Sequence, residues 1–178
     1  PYRTLLGHFR HEVGHYYWAL LIADGPRLDA FRATFGDERD DYAQALQRHY
    51  RQGAPADWPQ RFVSAYASAH PWEDWAETWA HYLHMVDAVD SAEALGMEPR
   101  ASGILGSVWP FNASDVYLTE SFDALMERWV PLSLALNSLN RSLGHPDFYP
   151  FVNPQPAVAK LAFVHRVVRE QARRRGSG

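Results

Sequence analysis

The stretch GHFRHEVGHYYW, residues 7–18, sets three histidines and one glutamate among aromatic residues. Around it Leu5, Leu6, Phe9, Val13, Tyr16, Tyr17, Leu20 and Leu21 recur at helical spacing, and ADGP at 23–26 is a strong stop. The pattern predicts an amphipathic helix over residues 3–22. On it His11 and His15 stand four apart, so both imidazoles leave one face about one turn apart, a separation that suits two ligands of a tetrahedral zinc ion. Glu12 points beside them, where it can take a proton from water activated by the metal. HEVGH therefore has the form HExxH, a short pattern that acquires meaning only from its context. Gly14 is part of that context: glycine inside a helix costs roughly 1 kcal/mol relative to alanine, which suggests a close neighbour at its backbone.

The rest of the chain bounds the answer. Its 178 residues suit one domain with a sizeable core, and 47% apolar with 14% aromatic residues is the composition of a folded protein. Cysteine is absent, so a metal must be held by His, Asp or Glu. A net charge of −4 with scattered basic residues offers no nucleic-acid face, and the basic RVVREQARRR at 166–175 suits a helix C-terminus. No run is apolar enough for a membrane span and no signal-peptide pattern opens the chain, so cytoplasmic is the default expectation. Pro1 and the closing GSG suggest a fragment, with residues 176–178 as a tail.

Further helices are expected after Pro26 to Phe35, over 37–53, from Pro71 to Leu95, over 119–144 with Pro131 kinking or splitting it, and from Pro156 to Arg174. Residues 54–71 are broken by proline and mix short helix with irregular chain; residues 97–118 read as a long loop, expected to wall a cleft. With no alternating strand segments, the expected class is mostly α.

A catalytic zinc needs a third protein ligand and an open position. The extended metzincin pattern would put a histidine at position 21, which is Leu21. The helix from 71 instead carries Glu73, Glu77, His81 and His84 as one polar stripe between tryptophans, which reads either as a solvated face or as the partner of the HExxH helix.

HEVGH followed by YASAHPWEDWAETWAHY resembles the glutamate-third-ligand zinc peptidases, the gluzincins, and among them the anthrax lethal factor catalytic domain. There a tyrosine precedes the ligand glutamate by seven residues, as Tyr66 precedes Glu73, and an acidic residue follows by four, as Glu77 does. From LLGHFRHEVGHYYW through FGDERDDYAQAL and VSAYASAHPWEDWAETWAHYLH to ALNSLNRSLG, the chain resembles the bacterial family called putative zinc-binding metallopeptidase. That resemblance implies a single zincin-like helical domain over residues 1–175, with an N-terminal zinc ribbon lying outside this chain. It implies His11, His15 and Glu73 as ligands of one Zn2+, Glu12 as general base, and Tyr66 as the phenol that supports the oxyanion. Glu77 would orient a ligand histidine. His8 and His81 could line the cleft or be ordinary helical polar residues, His84 extends the same stripe, and His70 is a weaker alternative ligand.

The expected function is a zinc-dependent metallopeptidase acting on peptide or protein substrates. Two rivals stand beside it: a zinc amidohydrolase on a non-peptide amide, and a non-catalytic, zinc-stabilised binding module. One departure from the wider class is the lack of an edge strand on which substrate could align.

Overall fold

A computed structural model describes residues 4–97 and 121–176, and these form helices α1 (Leu5–Leu21), α2 (Leu28–Phe35), α3 (Tyr42–Gln52), α4 (Pro71–Ala94), α5 (Phe122–Ser142) and α6 (Gln155–Gly176). Short 3-10 turns at Trp58–Gln60 and Tyr66–Ser68 carry the irregular stretch before α4. The protein is mostly α, with no strand among the described residues, and no described helix is long and apolar enough to cross a membrane. The expected loop over 97–118 lies, apart from Met97, outside the described residues.

Helix boundaries follow local chemistry. Thr4 caps α1 by accepting from the Gly7 N–H at 3.0 Å, and Ser121 caps α5 through the Ala124 N–H. Gly36, Gly53 and Gly96 take positive φ immediately beyond α2, beyond α3 and after α4. One expectation changes and another is narrowed. Helix α3 starts at Tyr42 rather than at 37, because the side chain of Asp41 caps it, accepting from the Gln44 N–H at 3.0 Å. The acidic residues ahead of it serve a turn, with Glu38 held by Arg32 and Asp37 by Arg39. Helix α5 is not split, since Pro131 lies inside one continuous helix.

Contacts group the chain into two units, residues 1–83 with 151–178, and residues 84–150. In the first, Phe31, Phe35, Trp75 and Phe163 make a buried aromatic cluster with ring centroids 5.0–6.2 Å apart, joining α2, α4 and α6. Trp18 brings α1 to this cluster by an edge contact with Phe31. Beneath it Lys160 of α6 pairs with Asp74 of α4 at 2.6 Å, lies 4.2 Å from the centroid of the Phe62 ring, and donates to the Arg61 carbonyl. Lys160 thereby ties α6 both to α4 and to the segment leading into it.

Helix α1 does not bury its apolar face as its periodicity suggests. Leu5, Leu6, Phe9, Tyr16 and Leu20 are exposed, whereas His11, Gly7, Gly14 and Leu21 are buried. The polar, glycine-containing face turns inward because α1 crosses α4 there.

In the second unit Trp129 of α5 packs edge-on to Tyr149, and Arg128 pairs with Glu93 at 3.0 Å. Asn137 donates to the Tyr149 carbonyl at 2.9 Å and accepts from its N–H at 2.8 Å, while Asn140 donates to the Pro146 carbonyl and Arg141 pairs with Asp147. These polar residues satisfy the backbone and side chains of the loop that follows α5.

Candidate metal centre

The crossing of α1 and α4 is made by small groups. A Cβ on Gly14 would stand 3.0 Å from the Cα of Ala76, and the Trp75 indole N–H donates to the Gly14 carbonyl at 2.9 Å. This close approach brings the inward face of α1 onto the first two turns of α4. His11 Nε2 lies 3.1 Å from His15 Nε2 and 2.9 Å from Glu73 Oε2, and His15 Nε2 lies 3.5 Å from the same oxygen. Three ligand atoms thus converge from residues 4 and 58 positions apart in sequence, and the group could hold a metal ion.

Their chemistry requires something positive between them. Glu77 Oε1 lies 2.7 Å from His11 Nδ1 and, as a carboxylate, accepts its proton. In the neutral ring Nε2 then carries a lone pair, and it faces a carboxylate oxygen that can only accept. Two acceptors at 2.9 Å repel unless a proton or a cation joins them. Glu73 is 1% exposed, so water does not relieve the charge. A proton on His11 is one solution: burial opposes it, but hydrogen bonds to Glu73 and Glu77 and their Coulombic attraction outweigh burial and push the imidazole up to about 9. For Glu73 burial favours the neutral acid, yet His11, His15 and Tyr42 hold it well below the usual carboxylate range. Zinc suits the donor set as well: two imidazole nitrogens and a carboxylate oxygen bind it at about 2.0–2.2 Å, for which tetrahedral edges are roughly 3.3 Å. The three observed separations bracket that edge.

Glu77 is held on its other side by the Ser64 hydroxyl, which donates to Oε2 at 2.5 Å. Such a carboxylate fixes the tautomer of a ligand histidine. Trp72 stands against the His15 ring at 4.3 Å between centroids. Glu12 directly follows His11, with its side chain 57% exposed, and His8 Nε2 is 3.7 Å from its Oε1. Tyr66 comes from the 3-10 turn before α4; its ring is 6.0 Å from that of His11 and its hydroxyl hydrogen-bonds Tyr50. Burial foremost, then that bond and the charge of Glu73, push the Tyr66 phenol up.

Other histidines stand apart. His81 is buried edge-on to Phe151, and burial pushes it down to about 4 against the attraction of Glu77. His70 caps α4, accepting from the Trp72 N–H through Nδ1, and is not one of the convergent group. His84 falls in the unit formed by residues 84–150.

Sequence reasoning missed two contributors. The Tyr42 hydroxyl donates to Glu73 Oε1 at 2.6 Å from 31 residues upstream, and Ser64 reaches Glu77 from a segment without regular structure. Both lie inside stretches that carry the family resemblance, Tyr42 in FGDERDDYAQAL and Ser64 in VSAYASAHPWEDWAETWAHYLH, but neither stands at a motif position.

The fold and this convergence define a helical protein with a candidate zinc centre, and comparison with known proteins gives the class a family. A model of the family described as "Putative zinc-binding metallo-peptidase" matches residues 1–167, and the chain belongs to that family. It is 49% identical over 173 residues to "Uncharacterized protein Rv2568c" of Mycobacterium tuberculosis (strain H37Rv), covering 97% of this chain and 48% of the relative. "Uncharacterized protein Mb2598c" of Mycobacterium bovis matches with the same identity and coverage. The chain thus spans about half the length of the curated relatives it matches. No solved structure matches it.

Proposed function

We propose that this chain is the catalytic domain of a zinc-dependent metallopeptidase that hydrolyses peptide bonds. The observation that carries the proposal is the convergence of His11 Nε2, His15 Nε2 and Glu73 Oε2, with the exposed Glu12 next to His11 in sequence. His11, His15 and Glu73 would hold one Zn2+ per chain. When bound, the ion supplies Lewis acidity, polarising the scissile carbonyl and making water easier to deprotonate near neutral pH.

The remaining roles belong to side chains. Glu12 accepts the proton of the attacking water and delivers it to the leaving amine, which its exposure allows. Tyr66 donates its phenolic hydrogen to the developing oxyanion; a raised phenol keeps that proton at neutral pH, as a donor must. Glu77 keeps His11 presenting Nε2 to the centre by accepting at Nδ1. A purely structural zinc site would need neither an exposed base nor a phenol nearby.

The test is hydrolysis of a mixed peptide library and a panel of small amides, read by mass spectrometry. The expected result is peptide cleavage that a zinc chelator abolishes. Glu12→Gln should keep its zinc and lose about 10²–10⁴-fold in rate, the usual worth of a general base. A Glu12→Gln variant as active as the parent would refute the mechanism, and turnover confined to non-peptide amides would replace the substrate class.

A further inference from the structure

We infer that Tyr42 is a positioning residue for the metal centre: its hydroxyl occupies one oxygen of Glu73, so that Glu73 can offer only the other to the ion. The inference rests on the zinc reading above.

Glu73 divides its two oxygens between different partners. Oε2 faces both imidazoles, at 2.9 and 3.5 Å, whereas Oε1 accepts from Tyr42 at 2.6 Å. That length lies in the range of hydrogen bonds from a hydroxyl to an ionised carboxylate, roughly 2.5–2.7 Å. A carboxylate without such a partner can turn both oxygens to a metal. Bound that way it would take the position that a catalytic zinc leaves open.

The backbone on both sides fixes the phenol where it is. Tyr42 is the first residue of α3, placed by its Asp41 cap. Just ahead of it, the Asp40 carbonyl lies 3.0 Å from His70 Nε2. Because His70 Nδ1 accepts from the Trp72 N–H at 3.1 Å, the ring proton must sit on Nε2, which donates to Asp40. One buried imidazole therefore joins the chain two residues before Tyr42 to the chain three residues before Glu73. The Tyr42 ring also lies edge-on to His70 and Trp72, with centroids 5.2 and 5.8 Å away. This clamp accounts for a buried histidine near the site whose two nitrogens are both committed elsewhere.

Tyr42→Phe removes the hydroxyl and keeps the ring, at a position that is already partly exposed. Zinc affinity should be measured by chelator competition in the parent, in Tyr42→Phe and in Tyr16→Phe, an exposed tyrosine on α1 that serves as control. Circular dichroism confirms equal helicity, and Co2+-loaded samples report coordination by visible absorption. Loss of a partner to a metal ligand costs 10–100-fold in affinity, and that loss is expected for Tyr42→Phe alone. Its cobalt bands should weaken, as they do when four-coordinate cobalt gains a ligand. If the parent binds one zinc and Tyr42→Phe matches it in affinity and cobalt spectrum, the positioning role is refuted while the metal reading stands. A parent that binds no zinc overturns both.

Discussion

The Trp75 indole N–H donates to the Gly14 carbonyl at 2.9 Å, at the point where a side chain on residue 14 would meet the Ala76 backbone. By helix propensity alone Gly14→Ala would stabilise α1 by about 1 kcal/mol. Contact should win, because the Cβ would stand 3.0 Å from a Cα, and backbone yields less readily than a flexible side chain. The expected outcome is a net loss of about 1–3 kcal/mol in denaturant unfolding, with weakened zinc binding, since His15 follows residue 14 directly. An unchanged midpoint and unchanged affinity would show that the crossing can relax.

Glu77 bears on the site through His11. Glu77→Ala removes the acceptor of the Nδ1 proton and should lower zinc affinity about 10–100-fold by chelator competition. Ser64→Ala should have a smaller effect in the same direction, since Ser64 acts only through Glu77.

Much of this arrangement could be read in local periodicity. His11 and His15, like Glu73 and Glu77, are pairs four apart, and a helix converts that spacing directly into a shared face. Gly36, Gly53 and Gly96, which follow three of the helices at positive φ, are equally legible, because a glycine stop is a local property. What local pattern cannot give is which side chain arrives from elsewhere. Tyr42 reaches Glu73 only because Asp41 starts α3 late and His70 fixes the turn before it. Nor did the pattern show which face of α1 would be buried: the small Gly14 admits α4 on the polar side, leaving Phe9 and Leu20 outside.

Stability should depend on the ion pair between Lys160 and Asp74, the residue that directly follows Glu73. Asp74 is 0% exposed, and burial pushes its carboxyl up while Lys160 holds it down. Lys160→Met leaves that carboxyl without its charged partner and should cost about 3–5 kcal/mol in urea unfolding. Asp74→Asn combined with Lys160→Met should recover a large part of the loss, because the uncompensated charge is then gone.

Acid should destabilise the fold through His81. Its folded value of about 4 lies below the ordinary 6.5, so the unfolded chain binds the proton more readily. Stability from the neutral ring is fully present above about pH 6.5 and falls as pH drops towards 4. A His81→Gln variant should show a flatter stability profile across that window, measured by urea midpoints at several pH values. An equally steep profile would place the acid sensitivity elsewhere.

The zinc content of the purified chain, measured by elemental analysis after dialysis and compared with His11→Ala and Glu73→Ala, tests the central claim most directly. The account predicts about one zinc per parent chain and none retained by either variant. Full zinc retention in Glu73→Ala, with helicity intact, would contradict it.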